Sequence, residues 1–75
     1  MSKNFEQKEW DIEFGINLEQ KLKEKELNKS ELSKLTGIDK STITKYTLGK
    51  RTASSYNVAS MAKALGCSTD ELIMF

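Results

Sequence analysis

Ser30-Glu31-Leu32-Ser33-Lys34-Leu35-Thr36-Gly37-Ile38-Asp39-Lys40-Ser41-Thr42-Ile43-Thr44-Lys45-Tyr46 is the stretch whose reading decides the fold. Just before it, Asn28 is a good helix cap, and Glu31 lies three residues on, where its carboxylate reaches back to the cap. Leu27 and Leu32 flank this pair as a hydrophobic staple. The same device recurs around Asp39, with Ile38 and Ile43 as the staple. Each polar cap stabilises its helix by about 1 kcal/mol. Gly37 follows Leu32 and Leu35, where a left-handed residue ends a helix. The spacing predicts helices over 29–36 and 40–47, joined by a turn of about three residues and packed at a steep angle.

Outward from this pair the punctuation continues. Gly49 follows Ile43 and Tyr46, and Gly66 follows Val58, Met61, Ala62 and Leu65. Ala53-Ser54-Ser55-Tyr56-Asn57-Val58 is a weaker start signal, and Cys67-Ser68-Thr69-Asp70-Glu71-Leu72 carries a Ser-x-x-Glu box around Ser68. Helices are therefore expected over about 55–65 and 69–74. Upstream, Phe14, Leu18 and Leu22 recur every four residues, which reads as a helix from about Phe14. Trp10, Ile12, Phe14, Ile16 and Leu18 also alternate strictly, which is a strand signal. Residues 1–13 are read as an N-terminal arm or an extension of the first helix, and residues 14–75 as the domain proper. If the helix runs back to residue 5, Trp10, Phe14, Leu18 and Leu22 form one stripe. Phe5, Ile12 and Ile16 then form a second, roughly 200–240° away from Trp10. So small a domain needs one stripe for its core. The second is either an arm folded over the core or a surface for a partner.

Composition bounds the function. The 75 residues include no histidine, no proline, four glycines and one cysteine. That removes a histidine-based triad, a histidine metal site, an internal disulfide and a cysteine-rich zinc site. No apolar run is long enough to span a bilayer, and no apolar signal-peptide core opens the chain, so a cytoplasmic location is expected. No paired carboxylates, nucleophile–base pair or phosphate-binding glycine loop appears, so neither an enzyme nor a bound cofactor is expected. The net charge is only +1, but the signs are segregated. Residues 1–31 hold six lysines and eight acids, whereas Lys40, Lys45, Lys50, Arg51 and Lys63 follow one another with no acid between them. A basic stretch on a near-neutral chain suits a polyanion.

The order and spacing of several segments resemble the lambda-repressor/Cro-type helix-turn-helix family. They are Leu-Lys-Glu-Lys at 22–25, Ser-Glu-Leu-Ser at 30–33, Thr-Gly-Ile-Asp-Lys-Ser-Thr-Ile-Thr-Lys-Tyr at 36–46, Gly-Lys-Arg at 49–51, Met-Ala-Lys-Ala-Leu-Gly at 61–66 and Ser-Thr-Asp-Glu-Leu at 68–72. The resemblance implies an all-α, five-helix DNA-binding domain whose third helix enters the major groove. It departs from the family pattern at Lys29, at Ser33, at Thr47-Leu48 and at Ala53, where the family often has glutamine, alanine, glutamate and proline.

Helical angles identify the outward face of the third helix. With Ile43 facing the core, Ser41 and Lys45 fall about 160° and 200° away, Thr42 and Thr44 flank them, and Lys40 projects from the first turn. Lysine donates to guanine, and serine and threonine donate or accept, so Lys40, Ser41, Thr42, Thr44 and Lys45 are the expected base contacts. Phosphate needs donors on either side. Lys50 and Arg51 follow the helix, Ser54 and Ser55 open the next, and Asn28 and Lys29 open the one before. The resemblance implies phosphate contacts at these same places. Cys67 reads as a small hydrophobe, and Tyr46, Met61 and Met74 as core or rim.

The function expected is a small sequence-specific transcriptional regulator of phage or prophage repressor type, bound to double-stranded DNA without metal, cofactor or membrane. One recognition helix reads few base pairs, so a homodimer on DNA is expected. The resemblance implies self-contact through the last helix, here Leu72, Ile73, Met74 and Phe75. The stripe of Phe5, Ile12 and Ile16 is assigned to a different protein. The alternative is a modulator of another regulator, or an antitoxin, that keeps the fold.

Overall fold

The computed structural model describes residues 6–74. It contains α1 (Gln7–Glu24), α2 (Lys29–Thr36), α3 (Lys40–Thr47), α4 (Ser55–Leu65) and α5 (Asp70–Ile73), with no strand among the described residues. The all-α, five-helix expectation is met, and α2, α3 and α4 have the expected limits.

Two of the four expected start signals, those at Asn28 and Ser54, work in full as local chemistry dictates. The Asn28 side chain accepts from the Glu31 N–H at 2.8 Å, and Glu31 accepts from the Asn28 N–H at 2.9 Å. Ser54 accepts from the Asn57 N–H at 3.1 Å. Asp39 is a correction: it occupies the cap position of α3, but its side chain makes no capping bond. Ser68 is another. The cap of α5 is Thr69, one residue later, although the Glu71 half of the expected box does form, with the Ser68 N–H donating to Glu71 Oε2 at 3.0 Å. The last helix is accordingly a single turn.

The first helix begins at Gln7, where Glu6 and Glu9 form a reciprocal box. It therefore starts well before Phe14, and the alternation over 10–18 is not a strand. The face that points inward explains why. Asp11, Phe14, Gly15, Leu18 and Leu22 are buried, at the spacing of one helical face. Phe14 meets Tyr46 edge-on, with ring centroids 6.3 Å apart. Trp10 is half-buried beside Ala53, Val58 and Ile73. Ile12 and Ile16 remain 40% and 45% exposed. Phe5, the third member of their stripe, lies outside the described residues.

Gly15 is the point of closest approach between α1 and α3. A Cβ there would lie 2.5 Å from the Tyr46 carbonyl oxygen and 2.7 Å from that of Thr47. Both are backbone atoms that cannot swing away, so α1 rests directly on the end of α3. One turn earlier, Ile12 packs against Gly49, which has φ +71°. A Cβ on Gly49 would lie 2.7 Å from Ile12 Cγ1.

The core is Phe14, Leu18, Leu22, Leu32, Ile43, Tyr46, Met61, Ala62, Leu65 and Leu72. Leu72 is fully buried in it, which corrects its assignment to a dimer surface. A side chain with no exposed area has none to give a second copy. Ile73 is partly buried against the same core, Met74 is exposed, and Phe75 lies outside the described residues. The α5 segment is held by α1: Asn17 Nδ2 donates to the Leu72 carbonyl at 3.0 Å, and Lys21 Nζ lies 2.9 Å from Glu71 Oε1 and 3.0 Å from Glu24 Oε1. These carboxylates push the Lys21 ammonium pKa upward. The Ser68 N–H and then Lys21 hold the Glu71 carboxyl down to about 2. Burial raises the Cys67 thiol, whose side chain packs against the core as a small hydrophobe would.

Candidate nucleic-acid interface

The angle between α2 and α3 is set by side chains of the turn itself. Thr36 Oγ1 donates to the Leu32 carbonyl at 2.8 Å and accepts from the Ile38 N–H at 3.1 Å. Ser33 donates its hydroxyl to the Ile38 carbonyl, so the polar atom at this helix–helix contact is satisfied. Gly37, at φ +79°, donates its N–H to the Ser33 carbonyl at 2.8 Å. Serine and threonine bond readily to backbone within a few residues, which suits them to fasten a turn.

On α3, Ile43 and Tyr46 face inward and are buried, Ile43 completely. The Tyr46 hydroxyl accepts from Asn57 Nδ2 at 2.9 Å, which ties α3 to α4 and spends that hydroxyl inside the fold. Lys40, Ser41 and Lys45 are exposed on the opposite side, with Thr42 and Thr44 half-buried at its edges. The Thr44 carbonyl accepts from the Thr47 hydroxyl at 2.8 Å, closing the end of the helix.

The flanking positions divide. Asn28, Lys50, Arg51, Ser54 and Ser55 are exposed. The Asn28 and Ser54 oxygens already cap their own helices, which leaves the neighbouring N–H groups of the first turns for an anion. Lys29 is half-buried, with Nζ 3.9 Å from Glu19 Oε1. That is an ion pair beyond hydrogen-bond distance, and Glu19 Oε1 is buried without a hydrogen-bond donor. Lys29 is thus partly neutralised by α1. Among the described residues the ion pairs fall on Lys21 and Lys29, and none engages Lys40, Lys45, Lys50 or Arg51.

The loop from Gly49 to Ala53 is anchored at both ends. Lys50 donates its N–H to the Lys45 carbonyl at 2.9 Å, and Gly49 to that of Tyr46 at 3.1 Å. Further on, the Thr52 hydroxyl sits 2.8 Å from each oxygen of Asp11, a side chain only 8% exposed. Gln7 Nε2 donates to the same carboxylate at 3.1 Å. Sequence reasoning missed Asp11, Thr52 and Asn57. The available signal was an acid in register with Phe14, Leu18 and Leu22 on the inward face of α1. Nothing in the sequence pairs it with a threonine so far along the chain.

The pattern of the helix-turn-helix family matches residues 18–72, from the middle of α1 into α5. This chain is a helix-turn-helix protein of the lambda-repressor/Cro type. The restriction-modification controller protein C.AhdI from Aeromonas hydrophila is 31% identical, with a TM-score of 0.80 over 83% of this chain and 94% of that one. A hypothetical transcription factor, NHTF, from Neisseria shares the fold at 18% identity, with a TM-score of 0.83 over 99% of this chain and 85% of that one. No curated protein sequence matches significantly. In helix-turn-helix proteins the second helix of the motif is the one that lies in the major groove, and here that helix is α3. The family is one of DNA-binding transcriptional regulators. No helix among the described residues is long and apolar enough to cross a membrane.

Proposed function

We propose that this helix-turn-helix protein is a sequence-specific transcriptional repressor of the Cro-like type, acting in the cytoplasm by occupying an operator with α3 in the major groove. One observation carries the reading: Lys40, Ser41 and Lys45 are exposed on α3, Thr42 and Thr44 edge that face, and no acid among the described residues pairs with its lysines. Those five residues read base edges. Lys50 and Arg51, the first turn of α4 at Ser54 and Ser55, and the start of α2 at Asn28 hold phosphates. Lys29 is the weakest member of this set, because Glu19 shares its charge. The likeness to a restriction-modification controller supports gene control as the role.

Two copies bind together in this reading, with recognition helices about 34 Å apart on an inverted repeat. Met74 is 71% exposed beyond α5, so the self-contact is built from the C-terminal end, with Ile73, Met74 and Phe75 as its apolar groups. Selection from random duplex DNA tests the whole reading. It should return an inverted repeat, bound with an affinity that falls steeply with salt. A chain that stays monomeric by sedimentation while holding one unrepeated half-site at nanomolar affinity would remove the dimer. Phe75→Asp leaving association unchanged would move the contact elsewhere.

A second reading rests on Ile12 and Ile16, which stay 40% and 45% exposed on α1. They offer a surface to a different protein, through which the chain would modulate another regulator; Phe5, the third residue of that stripe in the sequence, lies outside the described residues.

A further inference from the structure

We propose that Asp11 and Thr52 form a clamp that positions the loop carrying Lys50 and Arg51, so that the first turns of α1 belong to the DNA-binding apparatus. The inference rests on the regulator reading above and adds positioning residues to it. Asp11 precedes residues 18–72, the part of the chain that the family pattern covers.

The loop needs such a device. It leaves α3 at Gly49 and enters α4 at the Ser54 cap. Between those fastenings lie the two cations expected to meet phosphate. Thr52 follows Arg51 directly, and its hydroxyl is centred on the Asp11 carboxylate, 2.8 Å from both oxygens. Hydrogen bonds to a carboxylate are about twice as strong as those between neutral groups. Asp11 is itself held by Gln7 Nε2 and by burial on α1. The neighbouring contact of Ile12 with Gly49 fastens the start of the same loop to the same turn of α1.

Charge separates this role from direct binding. Among the described residues no lysine or arginine forms an ion pair with Asp11. An acid this close to a phosphate-binding loop repels the ligand. Asp11 therefore helps binding through where it puts Arg51 and Lys50, and in spite of its sign.

The experiment measures binding of the full chain to mixed-sequence and selected duplexes across a salt series, well below the unfolding temperature of each variant. Thr52→Val and Asp11→Ala should weaken every duplex alike by about fivefold. Each should lower the slope of log affinity against log salt by about one. Asp11→Asn should recover most of what Asp11→Ala loses, because its side-chain carbonyl still accepts the Thr52 proton. In a Lys50→Ala/Arg51→Ala background, Thr52→Val should add nothing, since the groups it positions are gone. Thr52→Val is the variant to rely on if Asp11→Ala unfolds. The clamp is overturned if Lys50→Ala and Arg51→Ala weaken binding while Thr52→Val changes neither affinity nor slope. It is also overturned if Thr52→Val is equally harmful in the double-alanine background. A wild-type chain that shows no salt-dependent DNA binding overturns the regulator reading and the clamp together.

Discussion

The outer face of α3 and the surface around α5 use polar residues in opposite ways. Around α5 several polar groups are paired with one another, in part at the surface. Asn17 bonds to the backbone of the last helix, Lys21 reaches both Glu24 and Glu71, and Glu71 also takes the Ser68 N–H. On α3 and the loop after it, Lys40, Lys45, Lys50 and Arg51 have no carboxylate partner among the described residues. The inner face of α3 is where that helix contributes to the fold, through Ile43, Tyr46 and the bond from Asn57 to the Tyr46 hydroxyl. The difference teaches how so small a domain separates tasks. One side of α3 and the α5 closure hold the chain together, and the other side of α3 leaves its donors exposed. Lys29 lies between these cases, since Glu19 takes part of its charge.

Substitutions on the two sides should fail differently. The largest effect is expected at the inner face. Ile43→Ala empties a fully buried site and should cost about 2–5 kcal/mol in urea unfolding, with DNA binding lost because the fold is lost. Gly15→Ala follows. A methyl there meets the Tyr46 and Thr47 carbonyls. The strain of overpacking, about 1–3 kcal/mol, should therefore exceed the gain of roughly 1 kcal/mol in helix propensity. If Gly15→Ala unfolds at higher urea than wild type, the close approach of α1 to α3 is not as tight as described.

On the outer face the stability should stay and the selectivity should go. Lys45→Ala or Ser41→Ala should cost about 1–3 kcal/mol on the selected site and relax preference at one or two base positions, with the unfolding curve unchanged. Equal weakening on every sequence would reassign Lys45 to phosphate. Lys50→Ala and Arg51→Ala should weaken all duplexes alike and lower the salt slope by about one each.

The smallest effect belongs to the α5 closure and depends on pH. The Glu71 carboxyl titrates near 2 in the fold, below the ordinary glutamate value of about 4.3. A lowered folded value means that the charged form stabilises the fold. That contribution is complete above about pH 4.3 and disappears as the pH falls towards 2. Glu71→Gln should therefore lower the melting temperature slightly at neutral pH, with the gap closing below pH 4. The gap should be small because the group is exposed to solvent and salt. A gap that persists at pH 2 would mean that Glu71 acts by packing instead of charge.

Much of this molecule was legible because its signals are short-range. A cap reaches three residues, a left-handed glycine ends the helix just before it, and a buried isoleucine at 43 fixes the outward direction of residues 41 and 45. Such signals placed α2, α3, α4 and the expected DNA face from the sequence alone, and the segregated charges suggested a polyanion. Where two local signals competed, sequence was insufficient. Strand-like alternation and helical stripes both ran through residues 10–18, and only packing of Phe14, Gly15 and Leu18 onto α3 and the core selected the helix. Tertiary structure also decided that Leu72 is core, that Lys29 shares its charge with Glu19, and that Asp11 holds Thr52 across 41 residues of chain. No local pattern encodes such pairings. They exist because closing α1 over the end of α3 brings a buried carboxylate to a loop hydroxyl, and that closure depends on the volumes and shapes of side chains distant in sequence.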